Sequence, residues 1–271
     1  MTLVSTEWLN SNLNKVKIID ASWHLIKNRN PLDEYKKEHI ENAVFFDLEK
    51  NSNQKNDLPH AHFLPSKDDH EKSISQMGIS NTDKIIIYCN SDLISSARAW
   101  FQFLYFGHNP KLVSVLNGGM KKWKLENRKV TNTETKIIPS KYIATEKSDM
   151  IKIMSQIKKN IKKKEFTVLD ARSKNRFAGL EPEPRPGVKS GSIIGSKSLP
   201  LNELIDRQNN TFLNNNILKK KFNLIGINNN EVVMSCGSSV TASSLALAYS
   251  LINDEYTAKI YIGSWAEYGR K

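Results

Sequence analysis

Four short phrases occur twice in this chain, in the same order and at nearly constant spacing, and that repetition constrains the fold most. Ile18-Ile19-Asp20-Ala21-Ser22 returns as Val168-Leu169-Asp170-Ala171-Arg172. Glu38-His39-Ile40-Glu41-Asn42-Ala43-Val44 has its counterpart in Ser190-Gly191-Ser192-Ile193-Ile194-Gly195-Ser196. Lys84-Ile85-Ile86-Ile87-Tyr88-Cys89 matches Glu231-Val232-Val233-Met234-Ser235-Cys236, and Asn117-Gly118-Gly119 matches Ile262-Gly263-Ser264 ahead of Trp123 and Trp265. The offsets from Asp20 to Asp170, Cys89 to Cys236 and Gly118 to Gly263 are 150, 147 and 145 residues. Two similar domains in tandem are expected, over 1–128 and 148–271.

Within each copy, apolar runs of strand length alternate with helical runs. Ser95 to Leu104 has a helical pattern ending at Gly107, a natural helix stop, and Leu112 to Leu116 then reads as a strand. Such alternation predicts an α/β fold, each domain a mainly parallel sheet flanked by helices. Ligands of such sheets bind off the carboxyl ends of the strands, where Cys89 and Cys236 fall. Thr131 to Ser148 lacks periodicity and reads as an ordered linker. Gly179 to Gly187 carries three prolines, which forbid a helix or a central strand and predict a stiff loop.

The chain has 271 residues, 39% of them hydrophobic and 25% charged, which are globular values. No apolar run approaches membrane-span length, so no membrane association is expected. The start lacks the basic and apolar regions of a signal peptide. Two cysteines provide neither a disulfide framework nor a CxxC metal site, so no metal and no cofactor is expected, and a reducing, cytoplasmic location fits. The net charge is +12. Its densest run, Lys158 to Lys164, lies in a helical pattern with Ile151, Met154, Ile157 and Ile161 on one face. It reads as a solvated helix face, and no nucleic-acid partner is expected. A positive field does favour small anions.

The second copy of the cysteine phrase carries the chemistry. Val232-Val233-Met234-Ser235 runs into Cys236-Gly237-Ser238-Ser239 and then into the helical run from Val240-Thr241-Ala242. A strand, a tight loop of small residues and a helix start point several N–H groups into one concave spot. The helix end adds partial positive charge, which favours a thiolate there. In the first copy Cys89 is followed by Asn90-Ser91-Asp92, without glycine and with an acidic side chain, which reads as an inactive version of the same position.

These residues resemble the two-domain rhodanese-like sulfurtransferases, and among them the 3-mercaptopyruvate-using subgroup. That subgroup's loop reads Cys-Gly-Ser-Gly-Val-Thr-Ala; here Ser239 replaces the second glycine. The resemblance extends to Arg176-Phe177, to Glu181-Pro182-Glu183-Pro184-Arg185-Pro186-Gly187, to Phe45-Phe46-Asp47-Leu48-Glu49 and to His62-Phe63-Leu64-Pro65. It implies two tandem rhodanese-like domains, the first non-catalytic and the second catalytic. It implies that Cys236 takes sulfur from 3-mercaptopyruvate, releases pyruvate, and holds a persulfide for a thiol acceptor such as thioredoxin, or for cyanide. It places Arg176 and Arg185 on the substrate carboxylate and keto oxygen, with Gly237, Ser239, Val240 and Thr241 in the binding loop. Ser238, His62 and Glu49, in place of the family's aspartate, would form a proton relay, with His62 favoured over neighbouring His60.

Two arginines suit a planar carboxylate, because a guanidinium fork binds it bidentately. An uncharged Gly237 leaves room for an organic donor, whereas thiosulfate, a compact dianion, would gain from a cation there. The alternatives are a thiosulfate sulfurtransferase and a non-catalytic rhodanese-like binding module. A cysteine phosphatase needs Cys-x5-Arg, and the sixth residue after Cys236 is Ala242.

Overall fold

The computed structural model describes residues 2–25, 28–53, 62–227, 231–253 and 258–270. The chain divides into two compact units. Unit 1 gathers Met1–Gln54, Leu64–Lys147 and Arg207–Thr211; unit 2 gathers Lys55–Phe63, Ser148–Asp206 and Phe212–Lys271.

Unit 1 contains the strands β1 (Leu3–Val4), β2 (Lys17–Asp20), β3 (Ala43–Phe45), β4 (Ile85–Tyr88) and β5 (Val113–Leu116). They form one sheet in the order β1-β5-β4-β2-β3, and among the described residues its strand pairings are parallel. Unit 2 contains β6 (Ile151–Lys152), β7 (Thr167–Asp170) and β8 (Lys197–Ser198). After β9 (Ile205–Asp206) and β10 (Thr211–Phe212), which make a separate two-stranded sheet, come β11 (Val232–Ser235) and β12 (Lys259–Tyr261). Its main sheet runs β6-β12-β11-β7-β8, also parallel. Taken copy against copy, the two orders are the same, so the repeat in the sequence is a repeat in topology. Both domains have the α/β architecture expected, a parallel sheet flanked by helices.

The central strands are β-branched and buried on both faces. In β4 and β11 every residue is buried, as parallel strands covered by helices require. Ile18, Ile86, Tyr88, Leu116 and Trp123 pack into one core of unit 1. Val168, Val233, Tyr261 and Trp265 pack into the corresponding core of unit 2. The tryptophans of the repeated phrases are thus equivalent core residues. Each donates its indole N–H to a backbone carbonyl, Trp123 to Lys129 and Trp265 to Lys189.

One expectation is sharpened and one changes. The run 131–147 is laid along unit 1 as a strap: Thr131 exchanges backbone bonds with His39, Ser140 N donates to Ser75 O, and Thr145 N donates to Phe106 O. The lysine-rich helix spans Met154–Lys163, so Ile151 lies outside it, in edge strand β6. Ile157 and Asn160 face inward while Lys158, Lys159, Lys162 and Lys163 are exposed, a solvated face. No described helix is long and apolar enough to cross a membrane.

Candidate active site

β11 ends at Ser235, and the next four residues turn the chain into the helix Val240–Ser250. That helix is buried almost all round, so its start is fixed by packing rather than by an amphipathic face. Its cap residue, Ser239, has φ +66° and makes no side-chain capping bond. The N–H groups of Val240, Thr241 and Ala242 in the first turn therefore have neither a helical acceptor nor a side-chain cap. Among the described residues, Gly237 and Ser238 N–H also have no acceptor. Cys236, 1% exposed, directly precedes this set of donors in the chain.

Ser239 occupies the left-handed region, which costs a non-glycine residue about 1–2 kcal/mol. The hydroxyl that glycine would lack donates to His62 O at 3.2 Å. His62, itself buried, brings Nδ1 within 3.0 Å of Ser238 Oγ. Arg185 Nη2 donates to the same Oγ at 2.7 Å, leaving the Ser238 proton available to His62 Nδ1 in the tautomer protonated on Nε2. Arg185 therefore holds the serine as well as facing the loop. It comes from the proline-rich turn, whereas Arg176 lies on the helix Lys174–Ala178, capped by Ser173.

Gly237 is where the two arginines converge. A Cβ built there would stand 2.7 Å from Arg185 Nη1 and 3.1 Å from Arg176 Nη2. The space above this glycine is filled by guanidinium groups, so its small size permits their close approach. Both contact atoms end flexible side chains, and Gly237→Ala is expected to leave the melting temperature almost unchanged. Displacing the clamp by an ångström should nevertheless lower kcat/KM on the order of ten- to a hundredfold, measurable by steady-state kinetics.

Sequence reasoning did not single out the acid that holds Arg176. Glu183, with a side chain 1% exposed, bridges Arg176 Nη2 and Arg172 Nη1, both at 2.7 Å. Arg172 is clamped in turn by Asp170 through Nε and Nη2, donates to Gly191 O, and lies 4.7 Å from the Trp265 ring centre. Burial pushes the Glu183 carboxyl up, but the Arg176 hydrogen bond and the two guanidinium charges outweigh it and hold the group below the usual carboxylate range. Only the Asp170–Arg172 pair was signalled in the sequence, since an aspartate two residues from an arginine invites one. In the first copy Ser22 stands in the position of Arg172. Burial there pushes Asp20 up to about 6, against the hydrogen bonds from Ser22. The cationic chain belongs to one copy.

Of the other expected residues, Glu49 lies in unit 1, where it accepts from Trp23 Nε1 at 2.7 Å. His60 lies outside the described residues. Cys89 is buried in unit 1, its Sγ 3.4 Å from Ser96 Oγ. Among the described residues no cluster of His, Cys, Asp and Glu could hold a metal ion.

Cys236 thus stands at a parallel strand end, before loop N–H groups that lack acceptors and beside a glycine on which two arginines converge. The rhodanese-like domain family matches residues 5–126 and again 154–271. The chain belongs to that family, as a tandem, two-domain sulfurtransferase. It is 34% identical to thiosulfate/3-mercaptopyruvate sulfurtransferase 1, mitochondrial, of Arabidopsis thaliana, over 98% of this chain and 75% of that protein. It is 31% identical to 3-mercaptopyruvate sulfurtransferase of Homo sapiens, over 98% of this chain and 91% of that one. Among solved structures, SseA of Escherichia coli, described as a 3-mercaptopyruvate sulfotransferase, superimposes with a TM-score of 0.87 at 26% identity. That match covers 98% of this chain and 99% of SseA.

Proposed function

We propose that the sulfur donor is 3-mercaptopyruvate and that Cys236 carries the sulfur as a persulfide. The observation that supports this reading is the convergence of Arg176 and Arg185 on Gly237, next to the cysteine. Two separate guanidinium forks fit a carboxylate and an adjacent keto oxygen. The Cys236 thiolate attacks the donor sulfur; the S–S bond forms as the C–S bond breaks. The electron pair of the C–S bond passes into the keto group, giving the pyruvate enolate. Fixed cations at that oxygen stabilise the charge as it develops. The enolate takes at carbon the proton that the donor's thiol gives up as its sulfur becomes the anionic outer sulfur of the persulfide, and leaves as pyruvate. Ser238, supplied with a hydrogen bond by Arg185 and paired with His62, is the group placed to hold that proton. The anionic outer sulfur of the persulfide is then held by the N–H groups of Gly237, Ser238, Val240 and Thr241. Attack by an acceptor thiolate on the outer sulfur returns Cys236 to its thiolate.

Thioredoxin is an acceptor of the required thiol chemistry. The two free cysteines support a reducing compartment, the cytoplasm in our reading. One observation favours a second donor. The guanidinium groups over Gly237 supply the cation that thiosulfate would need, although the loop itself is uncharged. Turnover with each donor, cyanide as acceptor, separates the two. A kcat/KM for mercaptopyruvate at least about tenfold above that for thiosulfate is expected, one order being 1.4 kcal/mol. A clear preference for thiosulfate would replace the first reading by the second.

A further inference from the structure

One more residue shapes the loop without facing the sulfur. Ser264 follows β12, with φ +49°, in the left-handed region, and is completely buried. Its Oγ accepts from Cys236 N at 3.2 Å and from Ser239 N at 3.1 Å, and donates to Tyr261 O at 3.0 Å. The backbone beside it is tied to the same loop, with Trp265 N donating to Cys236 O and Ala266 N to Gly237 O. The first copy makes the same corner with Gly119, at φ +52°, and Met120 N donates to Cys89 O. A Cβ on Gly119 would stand close against Cys89 O, so glycine is the unstrained solution to this turn. The second copy keeps a side chain in an unfavourable backbone region, and such strain persists where a site needs it.

We propose that Ser264 is a positioning residue for sulfur transfer. Its hydroxyl takes the two loop N–H groups that begin and end the turn, Cys236 and Ser239. Those two donors are thereby turned away from the sulfur and the loop is pinned at both ends. The N–H groups of Gly237, Ser238 and the helix start remain aimed at the thiolate and the persulfide. The first copy, with glycine at this corner, has no hydroxyl to pin its Cys89 loop. The proposal rests on Cys236 being the sulfur carrier.

Ser264→Gly is the informative variant, because it keeps the turn, removes the strain and deletes only the hydroxyl. Two readouts are taken on the folded protein: donor kinetics, and the pH profile of Cys236 alkylation by iodoacetamide without any donor. The expected result is a kcat about tenfold lower, the scale of two lost buried hydrogen bonds, with KM within about twofold. The alkylation profile should change, and the melting temperature should hold or rise. Ser264→Ala, which keeps the strain, should show the same kinetic loss and a lower melting temperature. Unchanged kcat and alkylation profile in Ser264→Gly would overturn the proposal. So would failure of that variant to fold, since the hydroxyl would then serve the fold and not the loop. If wild type transfers no sulfur, the functional reading fails, while the alkylation profile still reports on Ser264.

Discussion

Cys236→Ser is expected to abolish sulfur transfer to any acceptor, lowering turnover to the rate of the uncatalysed reaction. The alcohol is a far weaker nucleophile than the thiolate, and an oxygen cannot carry the sulfane sulfur. The substitution changes one buried atom and removes none of the hydrogen bonds that hold the loop, so the melting temperature should stay close to that of the wild type. Mass spectrometry of wild type after donor treatment should show one added sulfur on the peptide containing Cys236. The variant should show none, and Cys89→Ser should load normally. A sulfur adduct that persists in Cys236→Ser would mean that another group carries it. An unmodified wild-type protein would favour a non-catalytic binding module.

Removing Glu183 should have the largest effect on stability. Its carboxylate is shared by two guanidinium groups, and the Arg172 side chain is fully buried. Glu183→Ala leaves a buried cation short of its counter-charge, a loss on the order of 3–5 kcal/mol. Arg176 would also lose its anchor, so KM for the donor should rise more than kcat falls. The pH dependence has a defined sign. The folded-state pKa of Glu183 lies below its ordinary value of 4.5. The stabilisation is therefore complete above that value and is lost as pH falls through the lowered folded pKa. Chemical denaturation of wild type and Glu183→Gln across pH 3 to 6 checks this on the order of one pKa unit either side of the ordinary value. The acid-side fall in stability should be shallower in the variant, and an identical fall in both would remove Glu183 from the linkage.

The duplicated plan could be read directly because strand phrases are local. Val168-Leu169 and Val233-Met234 are apolar and pair in register in β7 and β11. The cysteine loop was legible for the same reason, since strand, loop and helix start are contiguous in sequence. What escaped was non-local. Nothing near Glu183 in sequence shows that it joins Arg172 to Arg176 in the folded chain. Nothing in Gly263-Ser264-Trp265 shows that Ser264 Oγ reaches back 28 residues to Cys236. Gly237 was recognised as informative, but for the room it leaves. Two converging guanidinium groups occupy that room, and only folding brings them there. Ile151 was assigned to the wrong element because one apolar residue fits a helical face and a short strand equally well.

The strand order carries a consequence for how the protein is made. In each sheet the first strand pairs with the last: Leu3 sits beside Val115, and Ile151 beside Ile260. A ribosome releases these partners more than a hundred residues apart, so neither sheet can close its far edge until nearly the whole copy has emerged. Pairings of such long sequence separation are slow to form. During that interval the apolar β4 or β11 is out of the ribosome before its last partner strand. A nascent chain arrested with Tyr88 outside the exit tunnel and Val113 still inside it should bind chaperones and be cut readily by protease. One arrested after Leu116 has also emerged should be protected over the first copy.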